Sequence, residues 1–292
     1  MTDEFTISPA TRCGTVALIV ADLGRSLQYY TQRIGLRVHR QAAGSAWLGA
    51  GGEELLHLVE QPGARPVQRG RTGLYHFAIL TPSRSDLGRT LQHLVAAETT
   101  IDGASDHGVS EALYLTDPDG HGIEIYRDRP RSEWPHLGDE LRMTLDPLDF
   151  RGVMAAAGGN GTPYAGMHPA TVIGHVHLHV AALPAAEAFY VDALGLALMQ
   201  RFQGQASFVA AGGYHHHLGL NVWAGVGAPP PPVDAARLAW YELVLPDAGA
   251  LKAAVEHLAA SGFPATPDGE GWRVLDPAQN LLVLRRAAAI QD

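Results

Sequence analysis

Three histidines spaced two apart, His175, His177 and His179 in the segment GHVHLHV (174–180), share one face of any strand they form. His76, in LYHFAIL (74–80), falls at the position of His175 when the two segments are laid over one another. A carboxylate, Glu124, stands in GIEIYRD (122–128), directly after the turn DPDG. Two imidazoles and one carboxylate gathered on one side of a divalent ion, with open positions opposite, form the donor set used by non-haem Fe(II) oxygenases. It leaves room for a bidentate diol and for O₂. The run His215, His216 and His217 adds groups whose ordinary pKa lies near neutrality, suited to acid–base work.

These residues are carried by a unit that recurs four times: an alternating apolar strand, an amphipathic helix, then strands that finish near a glycine-containing turn. The first copy opens with TVALIV (15–20), continues through a helix over 26–35 and runs to about residue 60. The second opens at 74–80, has a helix from about Ser85 to Ala97 and closes at 122–128. The third opens at 174–180, has its helix over 185–195 and closes with HHHLGLNVW (215–223). The fourth opens with WYELVLP (240–246), has its helix over 250–262 and closes with LLVLRR (281–286). Gly35, Gly195 and Gly262 stand where helices stop, as a left-handed C-cap requires.

The expected fold is α+β: four βαβββ modules, paired into two cup-shaped sheets because one such unit cannot bury its sheet face alone. In sequence order the chain divides into an N-terminal two-module domain (1–130), a Pro-, Gly- and Ala-rich linker (131–171) with a short helix at 146–157, and a C-terminal two-module domain (172–292). PPPP (229–232) separates modules three and four. Modules one and four lack the donor set. Thr15 and Tyr241 stand where His76 and His175 do, and Val283 stands in place of Glu124. Only modules two and three together supply two histidines and a carboxylate.

Strand alternation puts His215, His217, Asn221 and Trp223 on one face and His216, Leu218, Leu220 and Val222 on the other. The first set suits the inside of the cup, which makes His217 the first choice there; a bulge before Leu218 turns His216 inward instead. His39, His57, His93 and His257 are assigned to outer faces or to modules without ligands, and His121, in DPDGHG, to a solvated turn.

Composition narrows the partners. With 46% hydrophobic and 17% charged residues the chain is an ordinary folded protein. A net charge of −9 without a run of Lys or Arg argues against nucleic acid. No eighteen-residue apolar stretch and no apolar leader point to a soluble, cytoplasmic protein that does not use the membrane. One cysteine, Cys13, precludes an internal disulfide and a thiolate metal site. A homo-oligomer is compatible with the sequence.

The segment HGVSEALYLTDPDGHGIE (107–124) resembles the ring-cleavage signature of type I extradiol dioxygenases, within the vicinal oxygen chelate superfamily of glyoxalases, bleomycin-resistance proteins and dioxygenases. The closest resemblance is to four-module catechol-2,3-dioxygenases, and it extends over nearly the whole chain in repeat architecture. It implies Fe(II), or Mn(II), held by His76, Glu124 and His175, with a catechol-like aromatic diol and O₂ as substrates. It further implies Tyr114, ten residues before Glu124, as a hydrogen-bond donor to substrate oxygen. His107 becomes a group that supports the ligands or touches substrate, and His216 or His217 the acid–base residue; His177, His215, Asn221 and Trp223 form the pocket wall. In the best-known members the site lies in the C-terminal pair of modules, whereas here the fourth module has no ligands, which suggests that module two pairs with three and one with four. The rival readings are a glyoxalase-type isomerase or thiol transferase in the same cup, and a metal-free resistance or binding protein.

Overall fold

The computed structural model describes residues 5–138, 140–158 and 164–288. Each module begins on an alternating strand: Arg12–Val20, Gly73–Leu80, Val172–His179 and Arg237–Leu245. Val16 and Leu18, Phe77 and Ile79, Val176 and Leu178, and Tyr241 and Leu243 are all buried on the helix side and join one continuous apolar core. The intervening residues face the cups. That alternation is what frees His76, Ala78, His175 and His177 to point away from the core.

The helices stop and start where local chemistry dictates. Asp22, Ser83 and Asp247 each accept a hydrogen bond from the backbone N–H three residues on, capping the helices of modules one, two and four. Gly35 (φ 90°), Gly195 (φ 78°) and Gly262 (φ 88°) adopt the left-handed conformation expected of them. Module two has no glycine there, and Glu98 takes the same conformation at φ 53°.

In modules one and three the helix widens into a π turn, Tyr30–Ile34 and Ala188–Ala193. Tyr30 donates to Asp117 Oδ2 at 2.8 Å, and Tyr190 donates to Asp276 Oδ2 at 2.9 Å. Each bond ties the helix of one module to the Asp-containing turn of the next. Because modules one and two lie in different sheets, as do modules three and four, the two bonds latch the sheets together.

There are two eight-stranded sheets among the described residues. One runs Thr266–Asp268, Gly271–Leu275, Leu281–Arg286, Arg237–Leu245, Arg12–Val20, Glu54–Glu60, Ser45–Gly49 and Arg37–Ala42. The other runs Ala197–Phe202, Ala206–Ala210, Leu218–Asn221, Val172–His179, Gly73–Leu80, Gly122–Asp128, Ser110–Thr116 and Gly103–Asp106. Module one is therefore joined to module four and module two to module three. The division into domains 1–130 and 172–292 describes sequence order only. Each sheet takes one module from either side of the middle segment, since opening strands of the two halves pair with each other antiparallel.

The segment 131–171 is more than a linker. Its helix, Phe150–Ala156, packs on the module-two helix Arg84–Ala96. At Gly88 a Cβ would lie 2.3 Å from the Val153 carbonyl oxygen, so the approach depends on glycine. Farther back, the short strands His136–Leu137 and Glu140–Leu141 lead into Met143, Thr144 and Leu145, which lean over the cup of modules two and three. No helix among the described residues is long and apolar enough to cross a membrane.

Candidate metal centre and its cavity

One row across the second sheet gathers the site. Tyr114 is the cross-strand partner of Glu124, Glu124 lies beside Ala78, and Ala78 lies opposite His175. His76, two residues before Ala78, shares its face and stands opposite His177. The methyl of Ala78, at the middle of the row, leaves free the volume above it where the longer side chains meet.

His76, Glu124 and His175 are buried, and their donor atoms all lie within 4.8 Å of one another. Nε2 of His76 is 3.0 Å, and Nε2 of His175 3.1 Å, from the same carboxylate oxygen, Glu124 Oε2. Despite its distance, His76 Nε2 lacks the alignment of a hydrogen bond and has no other partner. Two ligand atoms on adjacent corners of an octahedron with bonds of about 2.1 Å are separated by roughly 3.0 Å, so the spacing fits a hard or borderline divalent ion, and the orphaned His76 Nε2 is the atom that such an ion would satisfy. Burial opposes the charge on Glu124, yet the two histidines overcome it and hold its carboxyl well below the usual range. Burial pulls His175 down, partly offset by Glu124. A neutral imidazole and an ionised carboxylate are the forms that ligate.

A cavity of about 300 Å³ opens over these donors. Its wall includes His76, Glu124 and His175, the polar groups His107, Tyr114, His177 and His216, and the apolar side chains of Val109, Phe202, Phe208 and Trp223. His107 Nδ1 donates to the Thr144 carbonyl at 2.8 Å, which leaves Nε2 as an acceptor for the Tyr114 hydroxyl at 2.6 Å. Burial, reinforced by Glu124, raises the Tyr114 phenol well above its ordinary value, so it keeps its proton. His177 crosses Gly219 so closely that a Cβ there would lie 2.7 Å from the ring. Its Nε2 is buried without a protein partner, and burial together with His76 and His175 keeps the ring neutral.

The histidine run resolves in favour of the bulged alternative. The closing strand of module three begins only at Leu218, after an irregular approach, and His216 lines the cavity. Its ring centroid is 4.2 Å from that of His175. His217, the first choice from alternation, lies off the cavity; its Nδ1 accepts from Ala211 N at 3.1 Å and its carbonyl accepts from Val176 N at 3.0 Å. Burial lowers its pKa to about 4, so it is a neutral acceptor.

His215 stands behind His216. Its Nε2 donates to Asp128 Oδ1 at 2.8 Å, and its Nδ1 lies 2.8 Å from His216 Nδ1. Asp128 can only accept, so in the neutral pair His216 donates from Nδ1 and turns a bare Nε2 outward. Burial, then His175 and His215, lowers the His216 pKa well below the ordinary value.

Of the expected pocket wall, His177 and Trp223 line the cavity, whereas His215 and Asn221 do not. Asn221 Oδ1 is engaged by His179 Nδ1 at 2.7 Å and by Trp223 N at 3.0 Å. His121 is also not solvated: it is buried and donates from Nδ1 to Asp117 Oδ2 at 2.9 Å. Asp128 was not anticipated, although it lies four residues after Glu124 on the same strand and hence on the same face. Met143, Thr144 and Leu145 lie in aperiodic chain that gave no signal.

A family model described as Glyoxalase/Bleomycin resistance protein/Dioxygenase superfamily matches residues 12–125. A catechol-2,3-dioxygenase of Bacillus subtilis (strain 168) is 41% identical over 277 residues, covering 94% of this chain and 96% of the relative. Lactoylglutathione lyase GLX1 of Arabidopsis thaliana is 30% identical over 123 residues, 39% of this chain and 43% of its own length. Among solved structures, glyoxalase I of Zea mays has the same fold, with a TM-score of 0.54 at 18% identity over 94% of this chain and 92% of that one. The near full-length relationship and the paired βαβββ sheets lead to one conclusion: the chain belongs to the glyoxalase, bleomycin resistance protein and dioxygenase superfamily.

Proposed function

We propose that this protein is an extradiol dioxygenase that opens a catechol-like ring with O₂, using a divalent metal, Fe(II), held by His76, Glu124 and His175. The observation that carries this reading is the meeting of two histidine nitrogens, at 3.0 and 3.1 Å, on one oxygen of a buried glutamate in the wall of a 300 Å³ cavity. The near full-length likeness to a catechol-2,3-dioxygenase supports the same choice over an isomerase or a binding protein.

When bound, such an ion supplies Lewis-acid activation of a vicinal diol and a site for dioxygen. The chain's own groups do the rest. His216 presents the Nε2 lone pair that takes a phenolic proton, while its Nδ1–H goes on donating to His215 Nδ1. His177 Nε2, free of protein partners, meets a substrate oxygen. Tyr114 keeps its proton and can turn its hydroxyl from His107 Nε2 to an oxygen of the opening ring. Phe202, Phe208, Val109 and Trp223 hold the flat ring and exclude water, which strengthens every polar contact made inside.

The test is anaerobic reconstitution with Fe(II), then catechol and air, with Glu124→Ala as the control. Yellow ring-opened product from the wild type alone is the expected result. Metal bound at one per chain with no oxygen consumed on any catechol redirects the assignment to isomerases and transferases; absence of metal binding refutes the centre itself.

A further inference from the structure

A second cavity, of about 460 Å³, adjoins the first and shares Tyr75, His76 and Tyr114 with it as a common wall. Its chemistry is different. It carries Arg69, Arg71 and Arg237 against a single carboxylate, Asp102, which is already engaged by the Thr116 hydroxyl at 2.7 Å. No carboxylate among the described residues pairs with any of the three guanidinium groups. Arg237 Nη1 meets only neutral oxygens, those of Gln61, Val233 and Ala235. Arg69 and Arg71 have no side-chain partner at all among the described residues. The cavity that contains Glu124, by contrast, has no Arg or Lys in its wall.

We propose that this arginine-lined cavity receives the ring-opened product, an open-chain carboxylate, as it leaves the cavity in which a neutral diol is bound. The proposal rests on the ring-opening reading above. In that reaction one ring C–C bond and the O–O bond break, and both oxygen atoms enter the product. One cut carbon becomes a carboxylic acid and the other an aldehyde or ketone. The acid ionises near neutral pH, releasing one proton to solvent, so a neutral reactant becomes an anion. The apolar cavity suits the first and has no cation for the second. The unpaired guanidinium groups belong to the cavity on the far side of the wall made by Tyr75 and His76, where the new charge is stabilised by Arg–carboxylate hydrogen bonding. Tyr75 is 42% exposed and its hydroxyl has no hydrogen-bond partner among the described residues, so only its packing on His76, His177, His179 and Trp223 holds the partition between the two cavities in place.

The test needs no metal. The metal-free full chain is titrated calorimetrically with cis,cis-muconate, a stable open-chain six-carbon dicarboxylate. Saturable one-to-one binding is expected, weakened about tenfold by Arg71→Gln and further by the Arg69→Gln, Arg71→Gln pair. Rising salt weakens it in the wild type and much less in the pair. Phe208→Ala, in the neighbouring cavity, is expected to leave the muconate affinity unchanged, and thermal midpoints confirm that all variants are folded. In the ring-opening assay the arginine variants are expected to show relief of inhibition by accumulated product. Absence of saturable binding, or binding indifferent to both arginines, overturns the proposal. If muconate binds through the arginines but no catechol is opened, the anion site stands, and its assignment to product is overturned together with the proposed function.

Discussion

Replacing His216 and His217 one at a time separates two neighbours that sequence alternation could not order. A general acid–base residue contributes about 10²–10⁴ in rate, or roughly 3–5 kcal/mol of barrier. His216→Ala removes the only imidazole of the run that lines the cavity, so a loss in kcat of that order is expected. His217→Ala removes a neutral acceptor and leaves the buried Ala211 N–H without its partner, which costs about 1–3 kcal/mol of stability. For a chain of this size that is a fall in thermal midpoint of about 2–5 °C. Its kcat is expected to stay within about threefold of wild type, because the ring does not line the cavity. Steady-state turnover of catechol and a thermal melt, both on reconstituted protein, give the two readouts. The reasoning fails if His217→Ala loses turnover as severely as His216→Ala, or if His216→Ala turns over at the wild-type rate.

Further outcomes follow from the same geometry. Ala78→Leu keeps all three ligands but fills the volume between them, so metal stoichiometry by elemental analysis is expected to fall from one per chain towards zero while the protein stays folded. The buried His121–Asp117 pair gives a pH dependence whose sign can be stated. Burial lowers the His121 pKa, but the Asp117 charge and hydrogen bond outweigh it and leave it raised. Burial raises Asp117, and His121 more than reverses that, leaving it lowered. The His121 contribution is therefore complete below its unfolded value, near 6.5, and is lost as pH rises through the folded value. The Asp117 contribution is present above its unfolded value, near 3.9, and is lost as pH falls through the folded one. Urea midpoints measured from acid to alkaline pH are expected to decline on both flanks, and His121→Gln should flatten the alkaline decline. Burial pushes the Cys13 thiol up to about 12, so iodoacetamide is expected to leave it unmodified in native protein and to alkylate it in urea.

Repetition made most of the architecture legible. The four opening strands and four helices stand within a few residues of their expected positions, because each is an amphipathic element whose period is written in the residues themselves. Pairing of modules two and three followed from chemistry rather than from pattern, since only those modules carry His76, Glu124 and His175. Alternation failed at His215–His217, where the chain is irregular until Leu218 and a period of two has no meaning. His121 misled because a turn between Asp and Gly ordinarily faces water; here the turn is clasped by Tyr30 from another module, a contact that no local signal announces. Met143, Thr144 and Leu145 were invisible for the same reason, since tertiary docking alone brings them to the cavity.

The nested order of the sheets governs how the chain can come to its final form. Modules two and three are consecutive and can join as soon as Asn221 has been made, whereas the strand Arg12–Val20 waits for Arg237–Leu245, more than two hundred residues later. Until then one long edge of module one has no neighbour, the condition in which strands adhere to other chains. Closing so long a loop is slow, although its entropic cost grows only logarithmically with length. During synthesis the sheet of modules two and three is thus complete first, and module four acts as a clasp that closes the open edge of module one. A stop codon after module three leaves every proposed ligand in place but strips Arg12–Val20 of its neighbour Arg237–Leu245, and size-exclusion chromatography of that product is expected to show aggregates.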